Sequence, residues 1–233
     1  MALLGYSPAD LVPFSHQAWL VLIARYNQDH GPAVIAGMAL GLLLLRLAAG
    51  RSPRRLRAAL ALLGLCWLWV AWTFLHQALG TLLWAADWLA WGFTAQAALL
   101  LLSAARPLAF EETARPRPTL VRGSLPMAWW LLTAAVLAWP VLELVVGRAW
   151  AALGWFGTAP DATAVATLAV AAMTPGRRAW LLLPLPLLWC LIASAMLGVF
   201  DDALWWLPAS AALLTGPLFW LERRRTTTTG AVG

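Results

Sequence analysis

Long apolar runs alternate with short polar connectors along most of this chain. Seven runs approach or exceed the length that a helix needs to cross about 30 Å of hydrocarbon. They cover residues 32–49, 58–78, 82–105, 126–147, 161–174, 179–199 and 203–221. The fifth run is short, so we expect bilayer thinning, reduced tilt or an extension into its flanks. The pattern predicts an all-α, polytopic transmembrane helix bundle of about seven spans.

Residues 16–27 precede these runs and follow a different pattern. Trp19, Leu20, Ile23 and Tyr26 recur at three- and four-residue spacing, which is typical of a short amphipathic helix lying in the membrane interface. The same segment could instead span or re-enter the membrane. We therefore divide the chain into an N-terminal segment with this interfacial helix (1–30), a transmembrane bundle (31–222) and a basic, then disordered cytoplasmic tail (223–233).

Two further features concern the connectors and the fourth run. The polar, proline-bearing connector 106–125 is expected to be the least ordered. Pro140 is expected to kink the outer half of the fourth run, because proline cannot donate the backbone hydrogen bond of a helix.

Arginine is concentrated in every second connector. The clusters are Arg51, Arg54, Arg55 and Arg57; Arg106, Arg115, Arg117 and Arg122; Arg177 and Arg178; and Arg223, Arg224 and Arg225. Short arginine-rich loops stay in the cytoplasm. We therefore expect a bacterial inner-membrane protein with its N-terminus outside and its C-terminus in the cytoplasm. The partners expected for the clusters are the bilayer and its anionic lipid headgroups.

Composition supports a membrane class over a soluble one. The chain is 62% hydrophobic and 11% charged, whereas soluble domains carry about 25% charged residues. A net charge of +6 could suggest nucleic acid, but the arginines flank apolar runs instead of forming a basic face, so no nucleic-acid partner is expected. All sixteen cationic side chains are arginine. A retinal protein is excluded, because its chromophore requires a lysine amine.

Six polar side chains lie in or beside the apolar runs, where a charge costs roughly 2.5–3.5 kcal/mol on insertion scales. They are His76, Asp87, Gln96, Glu143, Arg148 and Asp161. All except Gln96 lie toward the outer leaflet and could line a vestibule, in which carboxylates and a histidine would bind or relay a cation or proton.

Structural roles could also explain these polar residues. Glu143 could pair with Arg148, and Asp161, Asp201 and Asp202 could cap the helices that follow them. Gln96 is expected to hydrogen-bond a neighbouring helix. Gly37 and Gly41 form a GxxxG pattern that is compatible with close helix packing.

Metal and cofactor chemistry has little support in the sequence. Cys66 and Cys190 both fall inside apolar runs, where a thiol usually packs as a small apolar group. Three histidines show no ligand spacing. We expect no disulfide, no metal site and no cofactor.

Several short motifs resemble an uncharacterised family of bacterial multi-pass membrane proteins. These are Tyr26-Asn27 followed by Pro32; His76 with Gln96 twenty positions on; Gly147; Phe156-Gly157 followed by Ala159-Pro160; and Thr163 with Thr167-Leu168. The resemblance covers nearly the whole chain and implies an inner-membrane location without an assigned activity. The chain departs from the pattern at two positions: Arg148 stands where a histidine is usual, and Asp161 where a cysteine is usual. A soft-metal site is therefore not expected here.

Three functional hypotheses follow. The first is a small permease or channel-like transporter that uses the outer acidic and histidine-containing site for a cation, a proton or a small solute. The second is a non-catalytic structural or assembly subunit of a larger membrane complex, with membrane-protein partners or further copies of itself. The third, an intramembrane enzyme, ranks last, because no nucleophile–base pair is visible. We therefore expect no enzymatic activity.

Overall fold

The structure of the chain, a computed structural model, describes residues 12–50, 52–106 and 127–228. This part of the chain contains helices and connecting loops and no strand. The helices are α1 (His16–Asp29), α2 (Gly31–Ala49), α3 (Pro53–Trp69), α4 (Ala86–Ala105), α5 (Met127–Thr133), α6 (Trp139–Val145), α7 (Pro160–Met173), α8 (Arg178–Leu182), α9 (Pro184–Val199) and α10 (Trp206–Thr228).

Five helical stretches among the described residues are long and apolar enough to cross a membrane. They are Gly31–Ala49, Pro53–Thr81, Ala86–Ala105, Met127–Val145 and Arg178–Val199. Two further apolar helices, Pro160–Met173 and Trp206–Leu221, are shorter. The all-helical, membrane-compatible class is therefore confirmed, while a count of seven spans stays a prediction.

Two of the long stretches depart from α-helical geometry. α3 continues as a π-helical segment, Val70–Ala78, and a 3-10 turn, Leu79–Thr81. A second π-helical segment, Ala134–Ala138, joins α5 to α6 directly before Pro140. Pro140 has no backbone N–H and therefore interrupts the regular α-helical hydrogen bonds. The wider π-helical turn lies next to it, where the sequence predicts a kink.

The short fifth run forms α7, which is surrounded by protein. Almost every residue of α7 is buried, and the helix packs against α3, α5, α9 and α10. α7 is therefore covered by other helices over its short length, while the expected bilayer thinning or reduced tilt stays a prediction.

The connector before α7 runs inside the bundle. Residues 152–159 are all buried. A Cβ added to Gly37 would lie 2.5 Å from the Phe156 carbonyl oxygen, and one added to Gly41 would lie 3.0 Å from the Phe156 ring. Gly41 is about 15 Å along α2 from its first residue. Residues 149–159 therefore enter the bundle, and α7 continues from them toward the end that contains Arg178. We call residues 149–159 the re-entrant loop. The GxxxG pattern contacts this loop.

The basic connectors meet at one end of the bundle. The Arg57 Nε donates to the carbonyl oxygen of Ala104 at 2.7 Å, and Arg178 donates to that of Arg106 at 3.2 Å. Both arginines thereby satisfy free carbonyls at the end of α4. Most of the predicted mobile connector, 107–125, lies outside the described residues.

The last helix extends into the segment that the sequence assigns to the C-terminal tail. α10 continues to Thr228, so the beginning of the predicted disordered tail is helical. No glycine or proline interrupts the chain between Pro217 and Gly230, and the helix therefore has no local stop signal there. Residues 229–233 lie outside the described residues.

α1 matches the predicted amphipathic helix in position but turns its apolar face toward protein. Trp19, Ile23 and Tyr26 are buried. The Trp19 and Tyr26 rings each meet Phe74 edge-on, with centroids 5.8 and 5.2 Å away. The apolar stripe is therefore covered by the bundle, and a location of α1 in the membrane interface stays a prediction.

Candidate functional site

Glu143 and Arg148 form a buried ion pair at the end of the bundle opposite Arg57. Glu143 lies on α6, and Gly147 adopts a φ of +88° just after that helix, a conformation that glycine adopts without strain. This turn folds the chain back, so that the Arg148 guanidinium lies 2.5 Å from Glu143 Oε1. The side chains are only 7% and 3% exposed. The predicted pairing is therefore confirmed.

The re-entrant loop provides a second hydrogen-bond partner for the Glu143 carboxylate. The backbone N–H of Gly154 donates to Glu143 Oε2 at 2.6 Å. A Cβ on Gly154 would lie 3.3 Å from Glu143 Oε1 and 3.5 Å from the indole nitrogen of Trp139. The absence of a side chain at Gly154 therefore lets the loop backbone approach the carboxylate closely.

Asp202 joins the same network from a distant part of the chain. Its Oδ2 lies 2.7 Å from Arg148 and 2.9 Å from the His16 Nε2, and its Oδ1 accepts from the backbone N–H of Leu204 at 2.8 Å. The prediction that Asp202 caps the last helix is wrong, because α10 begins only at Trp206. Asp202 caps the preceding turn instead. We call Glu143, Arg148, Asp202 and His16 the ionic cluster.

The pKa of the Asp202 carboxyl lies below its ordinary value. Burial by itself raises this pKa, but the hydrogen bond from Leu204 and the positive charge of Arg148 outweigh burial, with a smaller contribution from His16. Asp202 is therefore ionised at neutral pH and supplies a fixed negative charge to the cluster.

Asp201 and Asp161 also depart from the predicted capping role. Asp201 takes a φ of +53° in the turn before α10 and does not adjoin that helix. Asp161 lies in the first turn of α7, but its side chain accepts from the Trp189 indole N–H at 2.8 Å and makes no cap hydrogen bond. The Asp161 carboxyl interacts electrostatically with Arg148 and Asp202. It therefore places a further acidic group beside the ionic cluster.

An open cavity of about 390 Å³ adjoins the ionic cluster. Its wall includes His16, Arg148, Asp201 and Asp202, together with apolar side chains of α1 such as Leu20 and Val21. Asp201 and Asp202 each add a carboxylate to the cavity wall, and the guanidinium of Arg148, which also contacts Glu143, lies in the same wall. The carboxylates of the wall and of Glu143 outnumber this guanidinium, so the cavity favours positively charged species.

The six predicted site residues divide among three places. Glu143, Arg148 and Asp161 come together at the ionic cluster. The His76 Nδ1 and Asp87 Oδ1 form a separate pair at 2.6 Å, with side chains 45% and 60% exposed, and neither lines the cavity. Gln96 is buried elsewhere and hydrogen-bonds to Leu182. The structure thus brings half of the predicted residues together.

Sequence reasoning missed His16 and misread Asp202. His16 directly follows Ser15, whose hydroxyl accepts from the Ala18 N–H at the start of α1. Each residue is polar and lies at the edge of an apolar segment, but nothing local indicates that two positions so far apart in sequence meet. A search for polar side chains that have no partner nearby in the sequence would have selected both His16 and Asp202.

The described residues offer no ligand set for a metal. No group of three or more histidine, cysteine, aspartate or glutamate side chains in the described ranges is arranged to hold an ion. Cys66 and Cys190 are both buried as free thiols, and Cys66 packs against Gly157 of the re-entrant loop. Both thiols are in the packed positions that the sequence predicts.

Some of the motif residues that resemble a known family hold the re-entrant loop and α7 in place. The Asn27 amide donates to the carbonyl oxygens of Ala151 and Leu153 at 2.8 and 2.9 Å. The Gly157 N–H donates to the Thr163 hydroxyl at 3.0 Å. Trp67 donates to the Thr167 hydroxyl at 2.8 Å. The resemblance therefore concerns the most unusual part of the fold.

Comparisons with known proteins agree with this resemblance. The model of a family of unknown function, DUF6064, matches residues 16–229. Comparison with proteins of curated function and with solved structures finds no match. The expectation of an uncharacterised family is confirmed, while its bacterial and inner-membrane character stay predictions.

Proposed function

We propose that this chain, which belongs to the DUF6064 family of unknown function, is a small permease or channel-like transporter. The cavity beside the ionic cluster would bind a cation, a proton or a small solute. The observation that carries this proposal is the re-entrant loop, which enters the bundle next to that cluster and leads into the buried helix α7.

Irregular backbone inside a membrane bundle has a free-energy cost, because each unpaired N–H or carbonyl group is removed from water. It persists where protein buries it or where it lines a solvent-filled site. Here the N–H of Gly154 binds the Glu143 carboxylate. α7 begins inside the bundle, and Asp161 in its first turn interacts electrostatically with Arg148 of the cavity wall. Helices that begin or end inside the bundle form the substrate sites of many transporters.

The charges favour a positive species. Glu143 and Asp202 both contact Arg148, and Asp201 adds a carboxylate to the cavity wall. A proton or another cation compensates this excess negative charge.

The arrangement in the membrane follows from the arginines. We place the end that contains Arg57 and Arg178 in the cytoplasm of a bacterial cell, against anionic headgroups of the inner membrane. The cavity then opens outward. Reporter fusions to the 106–125 connector and to the C-terminus should both report the cytoplasm; opposite locations would exclude this orientation.

Transport is tested with purified protein in liposomes that contain a pH-sensitive dye and, in parallel, a sodium-sensitive dye. We expect an imposed gradient to dissipate faster than in protein-free liposomes. Glu143→Gln should abolish the difference, whereas Gln28→Glu, which adds a carboxylate on the exposed side of α1, should retain it. Fluxes equal to those of empty liposomes for both ions would contradict the cation proposal.

The role of a subunit in a larger membrane complex is favoured by a different observation. Trp84, Trp88 and Trp91 lie on one side of α4 and the turn before it, and they are 80%, 73% and 70% exposed. Aromatic side chains of this kind contact either lipid or another membrane protein. Extraction in mild detergent followed by affinity capture should then recover a partner in stoichiometric amount, and a clean monomer argues against it.

A further inference from the structure

Asp201 supplies a carboxylate without a partner to the cavity beside the ionic cluster. It lines the wall together with Asp202 and Arg148. Asp202 and Glu143 both contact Arg148. The side chain of Asp201, by contrast, forms no hydrogen bond and no ion pair within the described part of the chain. Its negative charge is therefore available to a ligand in the cavity.

The end of α9 fixes the position of this carboxylate. The N–H of Asp201 donates to the carbonyl oxygen of Gly198 at 3.2 Å, and that of Asp202 donates to the carbonyl oxygen of Leu197 at 3.0 Å. These two hydrogen bonds form a Schellman motif, in which the residue with positive φ is usually glycine. Asp201 takes that place with a φ of +53°, which aspartate tolerates better than most residues. The helix end therefore presents a charged side chain where a glycine would present none.

Much of the remaining cavity wall is apolar. The apolar side chains come from α1 and from the segment after α6, and they are Leu20, Val21, Ala24, Val146, Ala149 and Ala152. The volume of about 390 Å³ lies near the lower end of the range for small-molecule sites, about 300–1,000 Å³. A ligand whose charged end lies beside Asp201 can therefore remove an apolar group of a few carbon atoms from water.

These features distinguish among the ligands that the cavity could take. A metal ion needs several oxygen ligands, and no group of three or more histidine, cysteine, aspartate or glutamate side chains in the described ranges is arranged to hold one. An anion would compete with Glu143 and Asp202 for Arg148, whose side chain is only 7% exposed. An organic ammonium ion uses both the free carboxylate and the apolar wall.

We propose that the cavity binds a small ammonium ion with an apolar chain, in the simplest case a protonated alkylamine, and that Asp201 selects for its positive charge. The role of this ion as a transported substrate rests on the transport function proposed above, whereas its binding does not. Binding and flux therefore test the two proposals separately.

Equilibrium dialysis of the full chain in detergent with radiolabelled butylammonium measures binding at pH 7, with empty micelles as the blank. In competition, each methylene from methylammonium to butylammonium should strengthen binding about two- to fourfold, because more apolar surface leaves water. Butan-1-ol, which lacks the charge, should compete about fivefold more weakly than butylammonium. Equal competition by butan-1-ol, or by methylammonium, would overturn the proposal without any variant.

Asp201→Asn removes the charge and keeps a side chain that tolerates positive φ. It should weaken butylammonium binding about fivefold, the upper end of the range for an ion pair at an exposed carboxylate, and leave butan-1-ol binding unchanged. Asp29→Asn removes an exposed carboxylate that does not line the cavity and should bind normally. Equal affinity for butylammonium in Asp201→Asn and the parent would overturn the role of Asp201.

Val21→Ser tests the apolar wall. Val21 is 56% exposed and lines the cavity, whereas Val141 is 55% exposed and does not, so Val141→Ser is a matched control. Val21→Ser should weaken binding of butylammonium about twofold and leave that of methylammonium unchanged. Equal effects of the two variants on butylammonium would contradict the placement of the alkyl chain.

Flux is measured as uptake of radiolabelled butyltrimethylammonium into liposomes, since the fixed charge of this ion prevents passive crossing. Uptake above that of protein-free liposomes, reduced in Asp201→Asn but not in Asp29→Asn, is expected. Selective binding without uptake would contradict transport and leave the binding site in place. Proton or sodium flux in the dye assay, without binding of butylammonium, would overturn the ammonium ligand and leave transport in place.

Discussion

The side-chain amide of Gln96 donates a hydrogen bond to the carbonyl oxygen of Leu182, 3.0 Å away. In an uninterrupted helix this carbonyl would accept from residue 186, but that residue is proline and has no N–H. Gln96 on α4 therefore supplies the donor that Pro186 cannot. The predicted contact between helices is confirmed, and its cause is a proline on the neighbouring helix.

Replacement of Gln96 should therefore destabilise the protein. Gln96→Leu leaves the Leu182 carbonyl unpaired in an apolar environment, which should lower the free energy of unfolding by about 1–3 kcal/mol. Thermal unfolding in detergent measures the effect. Gln77→Leu, at an exposed position, is the control.

A second substitution should compensate for the first. Pro186→Ala restores a backbone N–H four residues after Leu182 and should recover part of the loss in the Gln96→Leu background. If Pro186→Ala destabilises both backgrounds equally, the proposed relation between Gln96 and Pro186 is wrong.

Arg148 should be among the most sensitive positions of the described chain. Arg148→Gln leaves Glu143 and Asp202 buried without a cation, and loss of one partner of a buried pair costs about 3–5 kcal/mol. Arg25→Gln, on the exposed side of α1, should be nearly neutral. Thermal unfolding should also show partial recovery in the Glu143→Gln/Arg148→Gln double variant, which removes one uncompensated charge. Equal loss in the single and double variants would contradict this account.

Gly37 should tolerate no side chain. A Cβ there would lie 2.5 Å from the Phe156 carbonyl oxygen, whereas one on Gly198 meets nothing within 4 Å. Gly37→Ala should therefore displace the re-entrant loop and lower stability by several kcal/mol, since overpacking typically costs about 1–3 kcal/mol even where side chains can move. Gly198→Ala should be neutral or stabilising by up to about 1 kcal/mol. Similar melting temperatures for the two variants would argue against the loop position.

The free energy of unfolding should decrease at acidic pH because the Asp202 carboxylate becomes protonated. The folded state holds the pKa of this carboxyl below its ordinary value, so its contribution is fully present above the unfolded pKa of about 3.9 and is lost as pH falls through the folded pKa. Asp202→Asn should lower stability at neutral pH and flatten the decline below about pH 4. Melting temperatures from pH 3 to 7 test this; an equally steep acid decline in Asp202→Asn would assign it to other groups.

The sequence by itself determined which long apolar segments are helical and that Arg57 and Arg178 of the basic connectors lie at one end of the described bundle. Both depend on local properties, namely the free energy of placing a side chain in an apolar environment and the spacing of residues along a helix. The five long apolar helices, the burial of Gln96 and the Glu143–Arg148 pair follow from such short-range signals. Arg148 is only five positions from Glu143 and can reach it through a single turn.

Only the tertiary structure decided where the remaining polar groups meet. Nothing near Asp202 in sequence indicates that it contacts Arg148, 54 positions away, or His16. The aromatic, glycine-rich stretch 149–159 likewise has the composition of a surface connector. It is buried because Gly37 and Gly41 leave space for Phe156 and because Asn27 binds its carbonyl groups. These contacts join segments that are distant in sequence, so they stabilise the protein only after the helices have packed.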